Sequence, residues 1–432
     1  MSSYSTFPDL DTEIWIVPFF GQGHLYPCME LCKQLASRNF KTSLIISSNI
    51  ANNVPSSMRQ LPLFQITEIP SSPPPTSQPG SVSNPLQHHH HQHNQMAEGL
   101  QNLFSTRVRP VCAIVDVMMS WTDDTFKKFG VPTIGFFTSG ACSAAMEYAT
   151  WKAHPEDLKP GEIRLLPGLP EEMALTESDL KRKPHGPPGG MLGPPGGPGP
   201  FPGAGPRPGF PGPPGAGPRP SFPGPPGAPG PKIMGPPRPG QQPPWVEEVA
   251  GSIALMLNTC DDLERPFIKY LADQTGKPVW GVGPLLPEQF YKSAGSLLHD
   301  REIRSNRRSN VTEDEVIEWL DSRPRGSVLY VSFGSEVGPK MEEYPQIADA
   351  LEASNQPFIW VIQAGSVGYM VSDDQSEMTK KENIIKGIEK LMGDEEMKKR
   401  AEVIGKRFEN GFPASSVASL DAFSDFIKQK AV

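Results

Sequence analysis

The sequence predicts an α/β protein made of two doubly wound halves with a helical C-terminal tail. Three observations lead to this fold class. Short apolar runs of strand type alternate with segments whose apolar residues repeat at helical spacing. A Pro/Gly-rich segment separates two such alternating regions, and from Ser376 onward the pattern is helical. Strands that alternate with helices are typical of a parallel sheet with right-handed crossovers.

The first half opens with a complete βαβ unit. The apolar run from Glu13 to Phe20 predicts a strand, Tyr26 to Arg38 a helix, and Lys41 to Ser47 a second strand. Three more predicted elements follow: a strand from Val111 to Val117, a helix from Trp121 to Phe129 and a strand from Thr133 to Phe137. The carboxyl ends of these parallel strands should meet at one edge of the sheet.

The alternation resumes after the Pro/Gly-rich segment and then gives way to helices. The predicted elements are a strand from Ser252 to Asn258, a helix from Val311 to Leu320, a strand from Ser327 to Ser332, a helix from Tyr344 to Ala353 and a strand from Phe358 to Gln363. Three helical stretches complete the chain. The second alternating region is therefore the shorter of the two.

Glycine and proline are in large excess and are concentrated in residues 184–244. The chain has 41 Gly and 51 Pro among 432 residues, whereas an average protein has roughly 12% of the two together. GPRPGFPGPPGA is followed directly by GPRPSFPGPPGA, but interruptions in the glycine spacing exclude a collagen triple helix. We expect a disordered insertion, because the segment lacks the apolar side chains that offset ordering entropy. A ligand for proline-recognition domains is the alternative.

The net charge and the lack of targeting signals exclude several classes of protein. With Lys+Arg 40 against Asp+Glu 48 and a formal charge of -8, a non-specific nucleic-acid or anionic-membrane binder is not expected. The N-terminus lacks the features of a signal peptide, and no apolar run reaches the roughly 18 residues that a membrane span needs. Five scattered cysteines fit free thiols in a reducing compartment. We therefore predict a cytoplasmic protein without a membrane span.

A histidine-rich stretch lies between Pro70 and His93 and contains five of the nine histidines. A metal site needs ligands held on fixed elements with supporting contacts. We interpret this stretch as a surface loop and expect no metal.

The clearest candidate site is the run Gly21-Gln22-Gly23-His24, which follows the first strand and precedes a helix. Ligands of open α/β sheets bind at this edge, and a histidine there can take a proton from a hydroxyl. The run is not a dinucleotide fingerprint, because Tyr26 occupies the position of the last glycine. The structural alternative is that His24 simply opens the helix.

Polar residues also follow three other predicted strands. Asp116 should reach the same edge as His24, where it could orient the imidazole or cap the next helix. Thr138 follows the strand that ends at Phe137, where its hydroxyl could meet a polar ligand or cap a helix. In the second half Ser332, Gly334 and Ser335 form a small turn that could cradle a phosphate or be an ordinary turn.

Taken together and in order, several stretches resemble the plant small-molecule UDP-glycosyltransferases, which are inverting enzymes of the GT-B fold. The similar stretches are IWIVPFFGQGHLYPCMELCKQLASR, VDVMMSWTDDTFKKFGVPTIGFFTSGA, LMLNTCDDLERPFIKYL, VWGVGPLLP and VIEWLDSRPRGSVLYVSFGSEV. The resemblance implies an acceptor-binding domain over 1–183, the end of that domain and a linker over 245–310, and a donor domain with a helical tail over 311–432.

The resemblance also implies a role for each candidate residue. His24 matches the general base and Asp116 the carboxylate paired with it. The donor-binding matches are Gly23, Thr138, Ser332, Gly334 and Ser335. The co-substrate would be a UDP-sugar, and neither a cofactor nor a metal is required.

The chain departs from this family in its C-terminal half. The family's long donor motif, which contains an HCGWNS stretch, is absent, and Ser366 is followed directly by Val367. A skipped exon or faulty gene model and a genuinely shortened protein would both produce this junction. A nucleotide site that loses several hydrogen bonds, each worth about 0.5–1.5 kcal/mol, loses most of its affinity. We therefore expect a truncated donor domain.

The resemblance implies a UDP-sugar-dependent transferase that moves a sugar, most simply glucose, to a hydroxyl of a small molecule such as a flavonoid or terpenoid. The alternative is an inactive relative that binds an aromatic acceptor or a protein partner. A dinucleotide oxidoreductase is disfavoured, because the acidic ribose ligand after Ser47 is missing.

Overall fold

A computed structural model describes residues 12–72, 85–181, 240–287, 311–333, 339, 343–362 and 380–430. Most of the Pro/Gly-rich insertion, the Ser366–Val367 junction, Gly334 and Ser335 lie outside the described residues. The described part is α/β with a parallel sheet and a helical C-terminal tail, as the sequence predicted.

The main sheet has seven parallel strands within the described residues, in the order β3-β2-β1-β4-β5-β8-β9. They are β1 (Glu13–Val17), β2 (Lys41–Ser47), β3 (Phe64–Ile69), β4 (Cys112–Asp116), β5 (Thr133–Phe137), β8 (Ala254–Leu257) and β9 (Val279–Gly281). A small antiparallel hairpin of β6 (Ile163–Arg164) and β7 (Leu175–Thr176) stands apart. The central strands are buried on both faces, which is why they read as continuous apolar runs.

Helices cover both faces of this sheet, as a doubly wound fold requires. The larger ones are α1 (Gln22–Ala36), α3 (Pro85–Thr106), α5 (Ala141–Ala153) and α8 (Asp261–Thr275). Shorter helices are α2 (Ser56–Arg59), α4 (Asp123–Lys128), α6 (Glu177–Lys181) and α7 (Pro244–Glu248). One apolar cluster packs α1 against one face of the sheet, and another packs α3 and α4 against the opposite face.

The second unit is small in the described residues. Two parallel strands, β10 (Leu329–Ser332) and β11 (Phe358–Val361), pack against α10 (Glu343–Ala353) and α11 (Lys381–Gly393) through their own apolar cluster. Helix α9 (Glu313–Asp321) precedes β10, and a capping box at Thr312 and Glu315 sets its start. The chain ends with α12 (Glu395–Lys406) and α13 (Ala414–Lys430).

The last helix returns to the first sheet. Leu420, Phe423 and Ile427 of α13 are buried in the same apolar cluster as β1 and α1. Arg38 secures this contact: its Nε lies 2.8 Å from Asp421 Oδ1, and its Nη2 donates to the Val417 carbonyl. The core of the first domain therefore includes residues from the far end of the chain.

The structure differs from the sequence predictions at several elements. The prediction of a surface loop for the histidine-rich stretch is wrong from Pro85 onward, where the residues belong to α3. Pro85 suits a first helical position, and apolar residues such as Met96 and Leu100 recur on one face of the helix. The helix predicted from Trp121 begins as a 3₁₀ turn (Val117–Thr122) and becomes α4 only at Asp123. Strand β3 was missed, since it is only partly buried and alternates polar with apolar residues.

Within the described residues, the longest and most apolar helices all fall short of what a bilayer crossing needs.

Candidate active site

Strand register brings several polar side chains to one edge of the main sheet. Val17 of β1 pairs with Val115 of β4, and Asp116 pairs with Phe136 of β5. Phe137 in turn pairs with Leu257 of β8. The residues that follow these pairs along β5 and β8 are Thr138 and Asn258, so the register alone places them beside the Asp116 position.

His24 contacts this edge from the first turn of α1. Its Nδ1 lies 2.7 Å from Asp116 Oδ2. The Asp116 side chain is completely buried, whereas the His24 side chain is 28% exposed. The pair therefore joins a shielded carboxylate to an imidazole that still reaches the surface.

Asp116 also caps the turn that follows its own strand. Its Oδ1 accepts a hydrogen bond from the Met118 N–H at 3.0 Å, and its Oδ2 accepts a long one from the Phe19 N–H at 3.4 Å. Both alternatives raised by the sequence are thus present, because one carboxylate oxygen caps the turn and the other contacts His24. These bonds fix the orientation of the carboxylate.

The contact with Asp116 sets the tautomer of His24. A carboxylate only accepts hydrogen bonds, so Nδ1 carries the hydrogen and Nε2 is left as the acceptor. The edge of one aromatic ring packs near the imidazole, since the Phe19 and His24 centroids are 5.1 Å apart at 69°. An imidazole held in this way can accept a proton at Nε2 from a hydroxyl.

Thr138 completes the cluster. Its Oγ1 lies 3.1 Å from His24 Nδ1, so the same N–H faces two oxygens. The structure therefore brings together three of the residues that the sequence singled out, His24, Asp116 and Thr138. Their roles in a reaction stay predictions.

Two other candidate residues that the structure describes, Gly23 and Ser332, are not part of this cluster. Gly23 is the second residue of α1, and a Cβ there would meet nothing within 4 Å, so packing does not require a glycine. Ser332 is exposed at the end of β10 in the second sheet. Gly334 and Ser335 lie outside the described residues.

Sequence reasoning missed three neighbours of the site: Phe19, Asn258 and Glu264. Asn258 could have been found by the same strand-end rule, because it follows β8 as Thr138 follows β5. Glu264 carries no such signal, since it lies inside a helix and only the tertiary structure brings it to the turn after Thr138. Phe19 participates through its backbone N–H as well as its ring.

Cys28 lies one helical turn after His24 and is fully buried. Burial, and after it the neighbouring charge of Asp116, raise the pKa of the Cys28 thiol well above its ordinary value. The thiol therefore stays protonated and acts as a small apolar side chain, not as a nucleophile.

Comparison with known proteins finds relatives of one kind. No family profile matches the chain. Mogroside I-E synthase from Siraitia grosvenorii is 23% identical over 359 residues, and UDP-glycosyltransferase 73C25 from Barbarea vulgaris is 24% identical over 371. These alignments cover 82% and 81% of this chain. UDP-glucose flavonoid 3-O-glucosyltransferase 7 from Fragaria ananassa is 25% identical over 258 residues, 59% of this chain.

Solved structures of plant UDP-glycosyltransferases share the fold of this chain. Medicago truncatula UGT71G1 complexed with UDP-glucose superposes with a TM-score of 0.63 at 16% identity, covering 98% of this chain and 100% of the other. Glycyrrhiza uralensis UGT73P12 gives a TM-score of 0.63 at 18% identity, covering 97% and 96%. The chain is similar in sequence and in fold to plant UDP-glycosyltransferases. Its fold is the GT-B fold of that family.

The chain matches only part of the length of these curated relatives. The alignments span 66%, 42% and 62% of the lengths of the first three.

Proposed function

We propose that the chain transfers a sugar from a UDP-sugar to a hydroxyl of a small-molecule acceptor. The observation that carries this proposal is the His24–Asp116 pair at the carboxyl edge of the main sheet, with Nδ1 held 2.7 Å from the carboxylate and the imidazole partly exposed. The family relationship supports glucose as the sugar and a flavonoid or terpenoid as the acceptor. We place the reaction in the cytoplasm.

In the proposed reaction His24 Nε2 takes the proton of the acceptor hydroxyl. The acceptor oxygen forms a bond to the anomeric carbon while the bond from that carbon to the β-phosphate oxygen breaks, so the configuration inverts and UDP leaves with the bonding electrons. Asp116 stabilises the imidazolium that forms. General-base catalysis of this type contributes about 10²–10⁴-fold to a rate.

We assign the donor to residues from both halves of the chain. Gly23 and Thr138 would lie near the sugar, and Ser332, Gly334 and Ser335 near the phosphates, in line with the resemblance of these stretches to the family. No metal or cofactor takes part in this proposal.

A second candidate function follows from the missing HCGWNS stretch. Without most uridine and ribose contacts, the chain would bind an acceptor, or a protein partner, and transfer nothing. Donor binding separates the two candidates.

The test is calorimetric titration of the full-length chain with UDP-glucose, followed by a transfer assay with hydroxylated flavonoids. Binding near the micromolar range, about -8 kcal/mol, together with transfer that is lost in His24→Ala, would support the proposal. The matched control is His154→Asn, because His154 is exposed and has a left-handed backbone that Asn tolerates.

Unchanged transfer in a folded His24→Ala variant would remove His24 from the mechanism. Acceptor binding without UDP-glucose binding would establish the second candidate function instead.

A further inference from the structure

The turn between β5 and α5, which carries Thr138, is held by two side chains from the β8–α8 segment. The Glu264 carboxylate accepts hydrogen bonds from the Ala141 N–H at 2.7 Å and from the Cys142 N–H at 3.2 Å. These N–H groups belong to the first turn of α5, where backbone donors have no partner within the helix. A carboxylate from another helix therefore fixes the start of α5.

Close approach of the two segments depends on Gly140. A Cβ at this position would lie 2.5 Å from Glu264 Oε2. Glu264 itself departs from helical geometry, with φ -133° and ψ 26°, inside α8. The contact therefore involves a glycine on the α5 side and a non-helical residue on the α8 side.

Asn258 holds the other end of the same turn. Its side-chain amide donates to the Thr138 carbonyl at 3.1 Å, and its backbone N–H donates to the Phe137 carbonyl at 2.9 Å. Its Oδ1 accepts from the Leu285 N–H at 2.7 Å, which anchors the amide from behind. Hydrogen bonds from Asn258 therefore fix the main chain of Thr138 independently of the contact between the Thr138 side chain and His24.

We propose that Asn258 and Glu264 are positioning residues, which hold the Thr138 hydroxyl against His24 Nδ1 and so keep Nε2 as the free base. The role rests on the proposed function, because it concerns the same histidine. Neither residue contacts His24, and both act through the Thr138 turn. A purely structural role for Glu264 would stabilise α5 and leave the imidazole unaffected.

The first test observes His24 directly and needs no turnover. Full-length protein with ¹⁵N-labelled histidine is compared as wild type, Thr138→Ala, Glu264→Ala and Gly140→Ala, with the His24 signals identified by their loss in His24→Gln. We expect Glu264→Ala to move the His24 Nδ1 resonance in the same direction as Thr138→Ala. Gly140→Ala should reproduce this shift, because the added methyl group displaces the Glu264 carboxylate although Glu264 itself is not mutated. The control Asp273→Ala removes an exposed carboxylate of the same helix.

A His24 resonance that is identical in wild type, Glu264→Ala and Gly140→Ala would overturn the proposal. Wild-type protein that transfers no sugar would contradict the proposed function alone, since the resonance still reports the positioning.

The second test uses kinetics. We expect Glu264→Ala and Asn258→Ala to lower kcat about tenfold to a hundredfold with little change in the acceptor KM, and Glu264→Gln to restore part of the loss. The double variant Thr138→Ala/Glu264→Ala should be no slower than Thr138→Ala, because both changes remove the same contact. Additive losses would show that Glu264 does not act through Thr138.

Discussion

The Asp116 carboxylate serves two neighbours at once. One oxygen accepts the Met118 N–H that starts the 3₁₀ turn, and the other lies 2.7 Å from His24 Nδ1. Since the side chain is completely buried, neither contact competes with water. Local capping and the orientation of the imidazole therefore depend on a single residue.

Replacing this carboxylate by an amide separates the two contacts. In Asp116→Asn the side-chain oxygen can still accept the Met118 N–H, but the amide N–H₂ then faces His24 and favours the wrong tautomer. We expect kcat for glycosyl transfer to fall on the order of 10²–10⁴-fold, with a nearly unchanged melting temperature. Initial rates and thermal unfolding measure the two effects, with Asp273→Asn as the control. A variant with wild-type turnover would contradict the assigned role of Asp116.

Asp123 gives the stability of the protein a dependence on pH. Burial raises the pKa of this carboxyl to about 6, against an opposing hydrogen bond from Thr133. Its Oδ1 is buried and has no partner among the described residues. The folded state therefore retains a proton that the unfolded state loses near pH 4, so the free energy of unfolding falls as the pH rises from about 4 to about 6.

Asp123→Asn should remove this penalty. We expect the variant to be more stable than wild type above pH 6, by about 1 kcal/mol after allowance for partial solvent exposure, and the difference to vanish near pH 4. Urea unfolding at several pH values measures it. Asp124→Asn, one position further along α4 and exposed, is the control. A constant difference between the Asp123 variant and wild type at all pH values would contradict the prediction.

At the scale of elements, α3 docks on the main sheet through a glycine. A Cβ at Gly99 would lie 2.3 Å from Ile69 Cγ2 of β3. Met96 and Leu100, on either side in the sequence, are buried in the cluster under this helix. The close approach of helix and strand therefore depends on the missing side chain.

Gly99→Ala should destabilise the first domain by about 1–3 kcal/mol, because overpacking forces the helix and the strand apart. The matched control is Gly23→Ala, which places a methyl group in open space on α1 and should be neutral or slightly stabilising. Chemical denaturation of both variants makes the comparison. Equal stabilities would show that α3 does not depend on this contact. Loss of UDP-glucose binding in the stable Gly23→Ala variant would support a donor role for Gly23.

A proline inside α8 is matched by an arginine from the C-terminal region. Pro266 has no N–H to bond the Asp262 carbonyl one turn earlier. Arg407 Nη1 donates to that carbonyl, and Ser415 Oγ donates to Asp262 Oδ2 at 2.7 Å. The segment that leads into α13 thus supplies the hydrogen bond that the Asp262 carbonyl lacks within α8.

At the scale of the whole molecule, the C-terminal helix is a structural part of the first domain. Phe423 is completely buried and packs near Phe40 and Trp280, with ring centroids 6.3 and 5.6 Å apart. Phe423→Ala should therefore cost about 3–5 kcal/mol. Val417→Ala, on the same helix and 38% exposed, should cost less than about 1 kcal/mol. Thermal unfolding distinguishes the two, and an unchanged melting temperature for Phe423→Ala would exclude this helix from the core.

Part of this fold and of the site could be predicted from the sequence. The central strands are buried on both faces, so each reads as an unbroken apolar run, and the strand-end rule selected His24, Asp116 and Thr138 as neighbours. Strand β3 and helix α3 escaped prediction, because partial burial gives β3 a mixed pattern and the histidine-rich composition obscures the helical periodicity of α3.

Local sequence pattern was enough to predict the α/β alternation and the strand ends, and the missing HCGWNS stretch can be read directly from the sequence. Three contacts come from the tertiary structure: Glu264 with the start of α5, Asp116 with His24, and α13 with the first sheet. The His24–Asp116 contact joins residues 92 positions apart, the Glu264–Ala141 contact joins residues 123 apart, and the Arg38–Asp421 contact joins residues 383 apart. Local pattern carries no record of such pairings, which packing alone selects.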